Sequence, residues 1–153
     1  MQTQIIEPFK IIGIKIRTTN KNGQSAKDIG DLWSKFLTEK IADKIPNKID
    51  YSILSIYTNY QGDFTQPYDT ILGCKVDSLD EIPTGMIGQE FKGGNYVKFA
   101  SKGSLHKGVV YQTWDEIWKT DLNRAYTADF EVYGEKAQNP ENAEVDIFVA
   151  VKV

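Results

Sequence analysis

The chain has 153 residues, 41% of them hydrophobic and 25% charged, and its 18 basic against 21 acidic side chains leave a net charge of −3. That length makes one domain able to bury about two-thirds of its unfolded surface, and the composition excludes disordered and fibrous classes. The acidic balance excludes an electrostatic grip on nucleic acid, so no direct nucleic-acid partner is expected.

The N-terminus lacks a basic region followed by an apolar run, and no stretch approaches the ~18 apolar residues of a membrane span. A cytoplasmic protein without a membrane partner is expected. The lone Cys74 lies in an apolar segment and reads as an inert core thiol. Eight Tyr, seven Phe and three Trp make 12% of the chain, a supply that serves either a packed core or a pocket for flat ligands.

Residues 9–17 are rich in β-branched side chains, with Ile12, Ile14 and Ile16 alternating, and predict a strand whose Lys15 and Arg17 are solvated. A polar loop, 18–24, follows. Ser25-Ala26-Lys27-Asp28 has the form of a capping box, and Ile29, Leu32, Trp33, Phe36, Leu37 and Ile41 fall in a helical stripe that must end before Pro46. Residues 50–59 predict a strand, Gln61-Gly62-Asp63 and Gln66-Pro67 a turn region, and 70–76 the second arm of a hairpin. The stretch 77–94, with Pro83, Gly85, Gly88, Gly93 and Gly94, reads as a connector.

A second series then begins. Residues 95–101 predict a strand, and 107 to about 122 a helix with its stripe at Val110, Trp114, Ile117, Trp118 and Leu122. Residues 128–133 form a further strand, and 144–153 close the chain after the Asn139-Pro140-Glu141-Asn142 turn. The order strand, helix, strand, strand occurs twice, and the halves match by residue. Ile29, Trp33, Phe36 and Leu37 correspond to Val110, Trp114, Ile117 and Trp118. Leu54-Ser55-Ile56-Tyr57 corresponds to Phe130-Glu131-Val132-Tyr133, and Gly73-Cys74-Lys75-Val76 to Ala150-Val151-Lys152-Val153. The expected fold is α+β, one domain over 1–153 built from half-repeats at about 9–77 and 92–153. Two such units side by side form an antiparallel sheet with a pseudo-two-fold axis, both helices on one face and a central groove. Tyr57 and Tyr133 would face each other across it, with Glu131 where the first half has Ser55.

Most chemical constellations are missing from this sequence. One His, one Cys and no clustered ligand set give no metal site and call for no cofactor. His106, at a helix start, has no nucleophile beside it in sequence, and the glycines match no phosphate-binding spacing. Tryptophans at helical spacing belong by default to a core, the reading for Trp33 and Trp118. Trp114, at the stripe's edge beside Asp115 and Glu116, is placed to present one ring face to a cavity. Within 128–133, period-two alternation puts Phe130 and Val132 on one face and Asp129, Glu131 and Tyr133 on the other. If that face lines a cavity, Glu131 needs a partner or a proton.

The segment Tyr111-Gln112-Thr113-Trp114-Asp115-Glu116-Ile117-Trp118, then Asp129-Phe130-Glu131-Val132-Tyr133 and Val145-Asp146-Ile147-Phe148-Val149-Ala150-Val151-Lys152, resembles the gyrase-inhibitor-like (GyrI-like) effector-binding family. That family includes the ligand-binding domains of AraC-type and MerR-type multidrug regulators and free-standing versions. The first half, with Phe9-Lys10-Ile11-Ile12-Gly13-Ile14, Asp31-Leu32-Trp33 and Tyr57-Thr58-Asn59-Tyr60, is similar to the free-standing type. The resemblance implies the duplicated fold and an aromatic cavity whose glutamate, matching Glu131, attracts lipophilic or cationic molecules. It places the pocket tyrosine at Tyr133, and the ligand-binding set is expected to comprise Glu131, Trp114, Tyr133, Tyr57, Trp33, Tyr111 and Phe148. No second pocket acid is assigned. Three roles follow: a sensor or sequestering protein for small molecules; a hydrolase of cyclopropane-bearing genotoxins, with Glu131 steering water and Tyr133 stabilising the leaving oxygen; or a module that engages a separate protein partner such as gyrase or a transcription regulator.

Overall fold

The computed structural model describes residues 2–152, so Val153, the expected end of the last strand, and Met1 lie outside the described residues. Strand-forming segments give β1 (Gln4–Ile6), β2 (Phe9–Thr18), β3 (Ile53–Thr58), β4 (Tyr68–Val76), β5 (Ile87–Phe91), β6 (Gly94–Gly103), β7 (Ala128–Tyr133) and β8 (Ala143–Ala150). The helices are α1 (Gln24–Thr38), the short α2 (Ile41–Lys44) and α3 (Val109–Lys119). All strands join one antiparallel sheet in the order β1-β6-β8-β7-β3-β4-β2-β5. The order reads alike outward from its centre: β3, β4, β2 on one side and β7, β8, β6 on the other. Ser55 pairs with Glu131 in the middle of the β3–β7 register, with Ile53 opposite Tyr133 and Tyr57 opposite Asp129. The pseudo-two-fold axis therefore passes between Ser55 and Glu131, as the internal repeat predicts.

Alternation sorts the strand residues onto two faces. One face receives the helices: Leu32 and Phe36 of α1 pack on Ile12, Ile14, Leu72, Cys74 and Val76, while Trp114 and Ile117 of α3 pack on Val145, Ile147 and Val149. The other face carries no helix and buries its apolar residues by curling. Phe9 of β2 and Tyr96 of β6 lie on opposite sides of β7 in the sheet, yet their rings come within 5.3 Å and 5.4 Å of Phe130. Close strand approach adds to this: a Cβ at Gly13 would lie 2.0 Å from the Leu72 carbonyl oxygen, and one at Gly73 2.4 Å from that of Ile12.

Four local readings need correction. The capping box does not form, because α1 already starts at Gln24 behind Gly23 in left-handed backbone (φ 70°), and the Asp28 carboxylate accepts from Thr18 and Gln24 instead. The connector 77–94 contains β5, an edge strand paired with β2. Leu37 of the helical stripe is 59% exposed; α1 ends at Thr38, Lys40 takes left-handed backbone at φ 51°, and Ile41 of α2 supplies the next core side chain. Trp33 and Trp118, read as core, are only partly buried: each packs against a core cluster and also lines the cavity described below. Cys74 is fully buried, and burial pushes its thiol up to about 11.

Candidate functional site

Because α1 packs on β2 and β4 and α3 on β6, the central strands β3 and β7 are left uncovered between the helices. A cavity of about 290 Å³ occupies that position. Its floor follows from strand alternation: Leu54, Ile56 and Phe130 turn to the helix-free face, which sends Tyr57, Glu131 and Tyr133 into the cavity. The walls come from corresponding helix positions, Ile29 and Trp33 of α1 opposite Val110 and Trp114 of α3. The symmetry breaks where Trp118 stands in place of Leu37. Trp118 lines the cavity and stacks flat on Phe64 of the β3–β4 loop, with centroids 5.5 Å apart and planes at 9°. Tyr111 sits at the rim, 66% exposed.

Glu131 is 2% exposed. Its Oε2 accepts from the Trp114 indole Nε1 at 2.6 Å and from the Tyr57 hydroxyl at 2.8 Å, and its Oε1 accepts from the Tyr133 hydroxyl at 2.6 Å. The tyrosines that the repeat predicts on either side of the groove thus converge on one carboxyl group. Ser55 donates to the Tyr57 hydroxyl at 3.2 Å, which commits the Tyr57 proton to Glu131. An indole N–H can only donate, so Oε2 must be an acceptor, and a carboxyl proton has a place only between Oε1 and Tyr133. Burial raises the Glu131 pKa above the ordinary carboxylate range, while the three hydrogen bonds oppose that rise. Burial, with the Glu131 charge next in size, holds the Tyr57 and Tyr133 hydroxyls well above their usual value, so both stay neutral donors.

A second charged group lines the cavity. Arg124 pairs with the fully buried Asp129, Nη2 to Oδ2 at 2.7 Å, and Asp129 also accepts from the Tyr60 hydroxyl at 2.5 Å and the Ala150 N–H at 2.8 Å. Burial raises the Asp129 pKa, against the pull of Arg124.

Six of the residues predicted for ligand binding, Glu131, Trp114, Tyr133, Tyr57, Trp33 and Tyr111, line this cavity. Phe148 does not. On β8 it occupies the alternate register to Ile147 and Val149, so it points through the sheet and stacks on Phe130, centroids 4.9 Å apart. The sequence reading missed Tyr60, Phe64, Tyr68 and Arg124. An aromatic residue inside the polar 61–67 turn was a usable signal for Phe64, whereas nothing local marks Arg124. His106 is exposed, and among the described residues no group of three or more His, Cys, Asp or Glu converges on a common point. No described helix is long and apolar enough to cross a membrane.

Comparison with known proteins agrees with this architecture. The family described as Cass2, integron-associated effector binding protein, matches residues 5–151. YobU of Bacillus subtilis (strain 168), named as a transcriptional regulator, is 28% identical over 147 residues, covering 94% of this chain and 92% of that protein. The solved integron cassette protein VCH_CASS2, from the mobile metagenome of Vibrio cholerae, superposes with a TM-score of 0.74 at 31% identity, over 99% of this chain and 95% of that one. SAV2435, solved bound to tetraphenylphosphonium, shares the fold at a TM-score of 0.77 and 17% identity, over 99% and 93% of the two chains. The chain therefore belongs to the Cass2 family of integron-associated effector binding proteins, within the GyrI-like effector-binding fold that its sequence resembles.

Proposed function

We propose that this chain binds a lipophilic, aromatic cation in the cavity between its helices, as a sensor or sequestering protein, with Glu131 as the electrostatic anchor. The observation that carries this reading is a carboxyl group buried to 2% exposure, held by three neutral donors, with no cationic side chain paired to it among the described residues. Burying such a charge is costly, and a ligand cation supplies the missing counter-charge. Well-placed rings such as those of Trp33 and Tyr133 add about 0.5–2 kcal/mol apiece through cation–π contact. The tetraphenylphosphonium held by SAV2435 is a molecule of this class. Three of the roughly four acceptor positions on the carboxylate are already engaged, an arrangement better suited to holding a charge than to activating a water.

Tetraphenylphosphonium titrated against quenching of the tryptophan fluorescence tests the proposal. Glu131→Gln is expected to weaken binding at least tenfold, the effect of about 1.4 kcal/mol. Equal affinity in the two proteins would remove Glu131 from the site.

A further inference from the structure

Arg124 stands in the same cavity with most of its hydrogen-bonding capacity unused. Its backbone is pinned: Arg124 bridges to Val151, the Ala125 N–H donates to the Ala150 carbonyl at 2.9 Å, and the Lys152 N–H to that of Asn123 at 2.8 Å. The side chain is 6% exposed. Of the five N–H donors a guanidinium carries, one on Nη2 reaches Asp129, and the pair is single-pronged because Asp129 Oδ1 is taken by the Ala150 N–H. Nε and Nη1 are buried without a hydrogen-bond partner among the described residues. Buried donors of this kind are rare and ask for an explanation.

The surroundings are built around this group. Tyr126, in left-handed backbone at φ 54°, sets its ring 4.4 Å from the guanidinium carbon. A bulky residue in that conformation is uncommon and marks functional sites more often than chance. Phe64 and Trp114 stand at 5.9 Å. Trp114 joins the two charged ends of the cavity, its Nε1 on Glu131 and its ring beside Arg124. The Arg124–Asp129 pair carries no net charge, so a bare cation gains nothing at that end. A ligand oxygen reaching the free N–H groups forms a charge-assisted hydrogen bond.

We infer that the cavity is two-ended, and that its preferred ligand is an aromatic cation that also carries a carboxylate or similar oxygen acceptor, received by the guanidinium of Arg124, whose unpaired Nε–H and Nη1–H lie without solvent contact in this structure and are opened by a side-chain shift as the ligand enters. This rests on the cation-binding reading and narrows its ligand class. Two salts of equal carbon-chain length separate the ends: (4-carboxybutyl)triphenylphosphonium and pentyltriphenylphosphonium, titrated at pH 7.5. The wild-type protein is expected to bind the carboxylate-bearing salt about tenfold more tightly. Replacing the charge pair together, Arg124→Met with Asp129→Asn, leaves no buried carboxylate unpaired and should bring the ratio to about one. Arg124→Lys keeps a counter-charge for Asp129 but loses the fork, and should reduce the ratio to about threefold or less. Glu131→Gln should weaken both salts alike and leave the ratio intact. Equal affinities in the wild type, or a preference that survives both Arg124 variants, overturn the acceptor subsite and leave the cation site standing. Failure of both salts to bind overturns both readings.

Discussion

Glu131 is subject to two opposed demands. Burial raises its folded-state pKa above the unfolded value of about 4.3, so the folded protein holds the proton more tightly than the unfolded chain does. The stabilisation this brings is complete below the unfolded pKa and is lost as pH rises through the folded one. Above the unfolded pKa the buried carboxyl group therefore costs the ligand-free protein stability. Glu131→Gln removes it with little rearrangement, because the amide oxygen accepts from Trp114 and Tyr57 and the amide nitrogen donates to the Tyr133 hydroxyl. We expect Glu131→Gln to melt a few degrees higher at pH 7.5, the shift that about 1 kcal/mol produces in a domain of this size. The difference should close below about pH 4, as thermal melts from pH 4 to 8 will show. The ligand side has the opposite sign. Tetraphenylphosphonium has a fixed charge and favours ionised Glu131, so its affinity should fall as pH drops through the folded pKa. Calorimetry in two buffers of different ionisation enthalpy, run in the pH range where the affinity is falling, should detect proton release on binding, absent in Glu131→Gln.

At the scale of elements, much could be read locally because period and chemistry agree. Strand β7 sends Ala128, Phe130 and Val132 to one face and Glu131 and Tyr133 to the other, and α1, Leu37 apart, and α3 turn their apolar stripes inward. What escaped depends on partners distant in sequence. Asp28 leaves its expected capping role because Thr18, across the loop, donates to it at 2.9 Å. Strand β5 hides among glycines and a proline, and only pairing with β2 makes it a strand. Two glycine substitutions separate local from tertiary control. Gly30 lies exposed within α1 with nothing within 4 Å of an added Cβ, so Gly30→Ala should stabilise by about 0.5–1 kcal/mol through helix propensity alone. Gly13→Ala places its Cβ against the Leu72 carbonyl and should destabilise by about 1–3 kcal/mol. Denaturant melts with unchanged slopes will distinguish these effects.

At the scale of the whole molecule, the cavity belongs to neither half alone: each half contributes a helix wall and a floor strand, and the β3–β4 loop adds Phe64. A ligand held there ties the halves together. At a hundredfold excess over its Kd, tetraphenylphosphonium should stabilise the fold by about 2.7 kcal/mol, raising Tm by roughly 5–10 °C. A thermal shift assay that shows no rise would mean that the salt does not bind the folded protein. Residue order alone carries the repeat, the face on which Glu131 lies and the correspondence of Tyr57 with Tyr133, because periodicity and internal similarity are local properties. Packing in three dimensions is what brings both tyrosines and Trp114 to the same carboxyl group, turns Trp118 to a cavity where Leu37 faces solvent, and stands Arg124 beside Trp114. Those outcomes depend on the curl of the sheet and the course of two loops, which are set by contacts between segments far apart in the chain.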